Sequence, residues 1–210
     1  MMGRSELAPK VKATYQAVIQ LLMEGADLNN LTVSEITTKA GIGKGTAYEY
    51  FSNKEDMIAG ALLYELKDSC ENLYIKMKQE KSLYNKMNLL LKSMERNMAK
   101  IGCFARAAYL MADNSAIGCK MRELSKDRDE SDMPVLDMIH RVIDDELEAG
   151  EKVPMKEQSY LEMTIFSRMV CFAMYQFATK EHPEMDIDAM REMICRDVCR
   201  SVEIYRNAEG

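Results

Sequence analysis

Apolar residues recur along most of the chain at intervals of three and four, the spacing that places them on one face of an α-helix. The first such stripe begins at Leu7 and ends at Gly25, and the last runs from Ile187 to Tyr205. Further helical stretches are predicted at 53–78, 83–101, 104–112, 119–130, 133–149 and 160–178. Only four prolines and ten glycines interrupt this pattern, which therefore predicts an all-α fold.

The segment from Leu31 to Glu55 carries several helix start and stop signals in close succession. Thr32 and Glu35 form a capping box, in which each side chain accepts from the other residue's backbone N–H. Gly41 follows where a helix ends in a left-handed residue, a conformation that glycine adopts at low cost. A short helix is therefore predicted between Thr32 and Gly41.

A second short helix is predicted to begin at Lys44. Ala47 and Phe51 lie one turn apart and form its apolar face, so Gly45 and Glu49 lie on the opposite face. Two short helices set across a glycine turn predict a helix-turn-helix, whose second helix enters the major groove of DNA. The functional interpretation of the chain depends on this motif.

A third helix start follows directly, because Ser52 and Glu55 make another capping box. No stretch rich in Gly, Pro or Ser separates the helix-turn-helix from the helix predicted at 53–78. We therefore predict a DNA-binding domain in residues 1–52 and a larger domain in residues 53–210, joined through this helix.

The stretch T-V-S-E-I-T-T-K-A-G-I-G-K-G-T-A-Y-E-Y-F-S-N-K-E resembles the DNA-binding signature of the tetracycline-repressor (TetR) type regulators. The match lies in about the first quarter of the chain, and its glycines, caps, aromatics and closing Asn-Lys-Glu are all in register. Two positions depart from the commonest pattern: Thr37 replaces a small apolar residue, and Gly43 replaces a serine that caps the second helix. The resemblance implies a three-helix DNA-binding domain followed by a helical domain that binds a small inducer and dimerises.

The resemblance also assigns candidate DNA contacts by position. Lys44, Thr46, Tyr48 and Lys54 match positions that contact phosphates and base edges in the family, and Gly45 lets the backbone come close to DNA. The full set of predicted DNA-binding residues is Lys44, Gly45, Thr46, Tyr48, Glu49, Tyr50 and Lys54.

Glu49 has two interpretations, because phosphates on either side of the groove repel a carboxylate. It either accepts a hydrogen bond from a cytosine N4 amine or lies at the groove margin, held by an intramolecular partner such as Lys44 or Lys54.

The net charge of -6 argues mildly against a protein that coats nucleic acid or a membrane surface. The charge is uneven, however: residues 1–55 hold six Lys and Arg against six Asp and Glu, so the excess of acid lies in the remainder. A stretch with equal numbers of positive and negative side chains is compatible with DNA binding, which depends on the local charge and not on the net charge of the chain.

The sequence gives little support to a nucleotide-binding, redox, metal-binding or enzymatic function. A phosphate-binding P-loop would need glycine where Thr38 stands and serine or threonine where Gly45 stands. Cys195 and Cys199 share a helix face, but they lie among apolar residues, as buried thiols commonly do. With two histidines and no Cys-x-x-Cys pair, the sequence predicts no enzyme, no metal site and no cofactor.

Nineteen methionines are the most unusual feature of the composition. Methionine fills irregular space and adapts to varied shapes, so these side chains line either a mouldable ligand cavity or an ordinary core. The resemblance favours the cavity. His140 is a further candidate for the pocket, or a structural histidine. The candidate ligand-binding residues are Met87, Met94, Met98, Met111, His140, Met163 and Met169.

Residues 160–178 are apolar on nearly every side of the predicted helix, which indicates burial on every side. The chain offers too little further material to cover both this helix and the last one, so we predict that a second copy covers them in a homodimer. The longest apolar run, Met169 to Tyr175, is far shorter than the ~20 residues of a membrane span. With no apolar signal sequence near its start, the chain is expected to be cytoplasmic.

The sequence thus predicts a homodimeric, all-helical transcription regulator, most plainly a repressor. A small-molecule inducer would release it from a palindromic double-stranded DNA operator by favouring another tilt of the helix after Asn53. The alternative is a helical interaction protein of the same fold that lacks specific DNA binding.

Overall fold

A computed structural model of the chain describes residues 7–97, 114–126, 134–147, 155–178 and 186–207. Regular structure in these ranges is helical and includes no β-strand, so the all-α prediction is confirmed. The short helix predicted at 104–112 lies outside the described residues. The helices are α1 (Pro9–Met23), α2 (Val33–Ala40), α3 (Lys44–Tyr50), α4 (Lys54–Met77), α5 (Leu83–Asn97), α6 (Ala116–Lys126), α7 (Pro134–Glu146), α8 (Met155–Ala178) and α9 (Ile187–Asn207).

The first three helices form a small head whose buried residues are part of the same apolar core as the rest of the described chain. α1 packs against both α2 and α3, which also contact each other. Val18 and Leu22 of α1 meet Ile36 of α2 and Ala47 of α3 in this core, and Phe51 closes it at the end of α3. The head is therefore a helix-turn-helix braced by a third helix, as the sequence predicts.

The caps of α2 follow the predicted chemistry. Glu35 N–H donates to Thr32 Oγ1 at 3.3 Å, and Thr32 N–H donates to Glu35 Oε2 at 2.8 Å. The Thr32 hydroxyl also donates to Glu35 Oε2 at 2.6 Å, and this side-chain bond, followed by the backbone bond from Thr32 N–H, lowers the pKa of the Glu35 carboxyl. Gly41 ends the helix with a φ of 68°. Thr37, a departure from the family pattern, is buried and donates its hydroxyl to the Val33 carbonyl at 2.8 Å, so its polar group is satisfied within the helix.

The start of α4 differs from the prediction by one residue. The cap is Asn53, whose side chain accepts from Asp56 N–H at 2.8 Å, and the Asp56 carboxylate in turn accepts from Ser52 N–H at 3.0 Å. The predicted pair of Ser52 and Glu55 is wrong. Asparagine is as good an N-cap as serine, and an acidic residue follows it at the spacing a cap requires, so the later start is equally well satisfied.

The start of α6 also differs from the prediction, which began this helix at residue 119. The helix begins at Ala116 because the Ser115 hydroxyl accepts from Gly118 N–H at 3.1 Å and the Ser115 carbonyl accepts from Cys119 N–H at 2.9 Å. Serine caps a helix well, so a glycine in the first turn is tolerated.

α4 joins the head to the remaining helices through an unusually close contact. It packs against α1 on one side and against α5, α6 and α7 further along. Tyr15 of α1 lies between Phe51 and Tyr64, with ring centroids 5.8 Å from each. A Cβ placed on Gly60 would lie 2.4 Å from the Tyr15 Oη. Residue 60 must therefore lack a side chain for α1 to rest against α4 in this way.

The larger part of the chain packs α5, α7, α8 and α9 around a continuous apolar core. α9 contacts both α5 and α8, and α7 contacts both α4 and α8. The largest fully buried side chains in these four helices include Met87, Leu91, Ile143, Leu161 and Phe172. Among the described residues no helix has the length and apolarity needed to cross a membrane.

The inner faces of α8 and α9 are covered by this chain itself. Phe172 of α8 and Ile194, Val198 and Val202 of α9 are all buried in the core. The prediction that a second copy must cover the apolar face of α9 is therefore wrong, because α5 and α8 already do so.

A different set of apolar residues on these two helices stays exposed. The exposed fractions are 66% for Tyr160, 52% for Met163 and 66% for Met174 on α8, and Met193 and Ile204 of α9 are also exposed. We call these five residues the outer stripe.

The contact of Tyr15 with Gly60 yields a stability prediction. Gly60→Ala should lower the free energy of unfolding by about 1–3 kcal/mol, because the added methyl overlaps a ring held on both sides. The matched control is Gly45→Ala in α3, where an added Cβ meets nothing within 4 Å. It should keep or raise stability, since alanine favours helix. Urea denaturation followed by circular dichroism gives both values, and equal stability of the two variants would contradict the prediction.

Candidate nucleic-acid interface

The orientation of α3 is set by two buried side chains. Ala47 is fully buried and Phe51, at the end of the helix, is nearly so, which holds this face against the head. Gly45 and Glu49 are exposed on the opposite face, as the helical spacing predicts. Gly43 precedes the helix and supplies no side-chain cap, as its identity implies.

The exposed surface of α3 is rich in large side chains that carry hydrogen-bonding groups. Tyr48 is 55% exposed and Tyr50 is 44% exposed, so both rings present a large surface to solvent. Lys44 is also exposed, and Thr46 is half-buried beside it. Phenol, hydroxyl and ammonium groups are donors that suit phosphate oxygens and base edges.

Nothing in the described structure requires a glycine at position 45. A Cβ at this position would meet nothing within 4 Å, and its backbone φ is not left-handed. Glycine inside a helix costs about 1 kcal/mol relative to alanine, so its presence here is unexplained by folding. The close approach of an external molecule to the backbone of α3 would explain it.

Lys54 is placed differently from the other candidates. It is the first residue of α4, is half-buried, and donates its Nζ to the carbonyl of Asn29 at 2.9 Å. This bond ties the turn between α1 and α2 to the start of α4. An ammonium has three donors, so Lys54 can still contact a phosphate, but its position is fixed by the head.

The predicted ligand residues fall into separate groups. Met87 and Met94 of α5 and Met169 of α8 are buried in the core of the larger part. Met98 and Met111 lie outside the described residues. Met77 and Met138, which the sequence analysis did not single out, lie with Met87 in an apolar cluster completed by Leu90, Ile139, Val142 and Ile165. This cluster is packed with no space for a water molecule, so it is closed in this structure.

Met163 and His140 do not lie in that cluster. Met163 belongs to the outer stripe, because the inner face of α8 at this level is formed by Leu161 and Ile165. The half-exposed His140 lies between α7 and α8 with Nδ1 2.6 Å from Glu162 Oε1 and Nε2 3.2 Å from Asp144 Oδ2. The hydrogen bond that His140 Nδ1–H donates to the Glu162 carboxylate raises the pKa of His140.

Comparison with known proteins gives one family match. The model of bacterial regulatory proteins of the tetR family matches residues 22–61, the stretch from the end of α1 into α4 that contains the helix-turn-helix. No curated protein sequence matches the chain.

Solved structures share the fold over nearly the whole chain. FadR from Bacillus subtilis in complex with stearoyl-CoA is 17% identical, with a TM-score of 0.55, and the match covers 90% of this chain and 96% of that one. Thermus thermophilus FadR, a TetR-family repressor in complex with lauroyl-CoA, is 16% identical over 91% and 94% of the two chains, with a TM-score of 0.61. A TetR transcriptional regulator from Rhodococcus sp. RHA1 is 15% identical over 94% and 98%, with a TM-score of 0.57.

The contacts of His140 predict a pH-dependent link between α7 and α8. Because the pKa of His140 is raised in the folded chain, its ion pairs contribute stability fully below the unfolded pKa of about 6.5 and lose it as pH rises through the folded pKa. Glu162→Gln should therefore destabilise the chain more at about pH 5.5 than at about pH 8.5. The effect should be small because the site is half-exposed. Urea denaturation at both pH values measures it, and an equal loss at both would refute it.

Proposed function

We propose that this member of the TetR family of bacterial regulatory proteins binds operator DNA through α3 and represses transcription until a small molecule releases it. The observation that carries the proposal is the exposed face of α3. Two buried residues fix the helix, while Lys44, Tyr48 and Tyr50 remain exposed around a glycine that folding does not require. This is the arrangement that a helix needs in order to enter a major groove.

A homodimer is supported by the outer stripe of α8 and α9. Its members follow helical spacing on two helices whose other faces are already buried in the core. Exposed apolar side chains in such a row form a surface that a second copy can cover about a two-fold axis. A two-fold dimer would carry two α3 helices, which would match the two halves of a palindromic operator.

A path from the larger part to the DNA-binding head runs through the first turn of α4. Asp56 accepts from Ser52 N–H, next to the end of α3, and its carboxylate also lies 3.8 Å from the Nζ of Lys120 in α6. A movement of α6 would therefore act on the residue that holds the turn between α3 and α4. This contact supports a mechanism in which ligand binding changes the angle of the head.

The closed methionine cluster is the candidate ligand site. Methionine side chains adapt to different shapes, so Met77, Met87 and Met138 can move apart to admit a flexible apolar chain. FadR structures that contain stearoyl-CoA and lauroyl-CoA share this fold, which makes a long-chain acyl thioester the first compound to test. Release of the chain from bound DNA by such a thioester is the measurement that addresses this part of the proposal.

DNA binding is tested by substitutions on α3. Lys44→Ala and Tyr48→Ala should each weaken operator binding by roughly 1–3 kcal/mol, the scale of one good contact. Lys67→Ala removes an exposed lysine of α4 remote from α3 and should leave affinity unchanged. Fluorescence anisotropy on an inverted-repeat duplex obtained by selection gives the affinities. If both α3 variants bind as the wild type does, the alternative of an interaction protein without specific DNA binding is favoured.

Assembly is tested on the outer stripe. Met163→Glu and Met174→Glu should convert dimers to monomers without loss of helix, because the charge would be buried only in the dimer. Ile75→Glu, at another exposed apolar position in α4, should leave the dimer intact. Phe172→Glu should instead unfold the chain, since that side chain is fully buried. Sedimentation velocity and circular dichroism distinguish these results, and a wild-type monomer at micromolar concentration would rule the dimer out.

A further inference from the structure

We infer that Glu49 is a specificity-determining residue that selects a cytosine in the operator half-site. The inference rests on the proposed DNA binding by α3 and goes beyond it by naming the base that one side chain reads. Three observations carry it: the direction of Glu49, its lack of an intramolecular partner, and the hydrogen-bonding capacity of a carboxylate.

Glu49 lies on the part of α3 that is furthest from the head. Ala47 and Phe51 fix the helix against the head, and Glu49 is two residues from each of them. Its side chain therefore projects from the face of α3 opposite to the buried one. Gly45 lies one turn earlier on the same face and has no side chain to hold DNA away. In a helix lying in the major groove, Glu49 therefore points at the floor of the groove rather than at its margin.

The structure gives Glu49 no lysine to hold it at the groove margin. Within the described residues, no hydrogen bond or ion pair involves its carboxylate. Lys54 instead donates to the Asn29 carbonyl, and Lys44 makes no ion pair with Glu49. The marginal interpretation needed an intramolecular partner such as one of these lysines, and the described residues provide none, so base reading is the interpretation that we adopt.

The chemistry of a carboxylate then selects the base. An ionised glutamate only accepts hydrogen bonds, and the donors in the major groove are the N4 amine of cytosine and the N6 amine of adenine. Adenine places its N7 acceptor beside that amine, while guanine and thymine present acceptors of their own. Cytosine is therefore the base that satisfies Glu49 with the least repulsion.

This role explains how α3 tolerates a negative charge near phosphates. The phenols of Tyr48 and Tyr50 and the ammonium of Lys44 flank Glu49 with donors for the DNA backbone. These groups attract the DNA backbone whatever the base sequence. The Glu49 carboxylate, in contrast, is repelled by the phosphates unless a base amine faces it. Glu49 thus adds discrimination rather than affinity.

The test is a selection from randomised duplexes with the wild type, Glu49→Gln and the control Glu55→Gln. Glu55 lies in the first turn of α4, off the exposed face of α3, and its substitution removes the same charge close to the head. Glu49→Gln should lower the preference for C·G at one position of each half-site by roughly five- to tenfold, and adenine should gain there because glutamine pairs with adenine. Glu55→Gln should leave the selected sequence unchanged.

Other results separate the inference from the proposal on which it rests. A wild-type chain that selects no sequence contradicts DNA reading by α3 altogether. A wild-type motif that Glu49→Gln selects unchanged overturns the role of Glu49 and leaves the DNA-binding proposal standing. Relaxation of the same position by Glu55→Gln would show a general charge effect and would also overturn the inference. Thermal denaturation of each variant verifies folding, which an exposed residue without a partner should not affect.

Discussion

The contact between Tyr15 and the bare backbone of α4 at Gly60 is the constraint on which the rest of the arrangement depends. It lets α1 rest against α4 closely enough for the Tyr15 ring to pack with both Phe51 and Tyr64. Phe51 is also the residue that ends α3 and anchors it. One aromatic cluster therefore sets the angle of α4 and the position of α3 together, so a change in one must alter the other.

The two faces of α8 and α9 differ in burial, as expected if the exposed face takes part in the proposed homodimer. Their inner residues, including Phe172 and Val198, complete the core of a single chain with α5. The outer stripe contributes nothing to that core, and its exposure would be a liability for an isolated chain. A surface of this kind favours a folded subunit that pairs, rather than two chains that fold only together.

Interactions between residues close in sequence made the structure of the head predictable, whereas the remaining helices depend on packing between residues far apart in sequence. The capping box of Thr32, the left-handed Gly41 and the burial of Ala47 each follow from neighbours within a few residues, and the structure agrees with all three. Where two local solutions were equally good, as at Ser52 and Asn53, the sequence could not choose between them. The exposure of Met163 could not be predicted for a similar reason: α8 is apolar on two faces, and only packing with α7 and α9 decides which face is buried.

The closed core has a consequence for how a ligand could control the head. The methionine cluster has no space for a water molecule, so a ligand that used it, as proposed, would have to bind a less populated, open arrangement of the same helices. α4 lines this core with Met77 at one end and holds the head with Gly60 and Asp56 at the other. Because α4 both lines this core and holds the head, opening the core would also move the head. In the proposed mechanism the closed core goes with one angle of α3, and the free energy difference between closed and open cores would limit how strongly a ligand can change DNA binding.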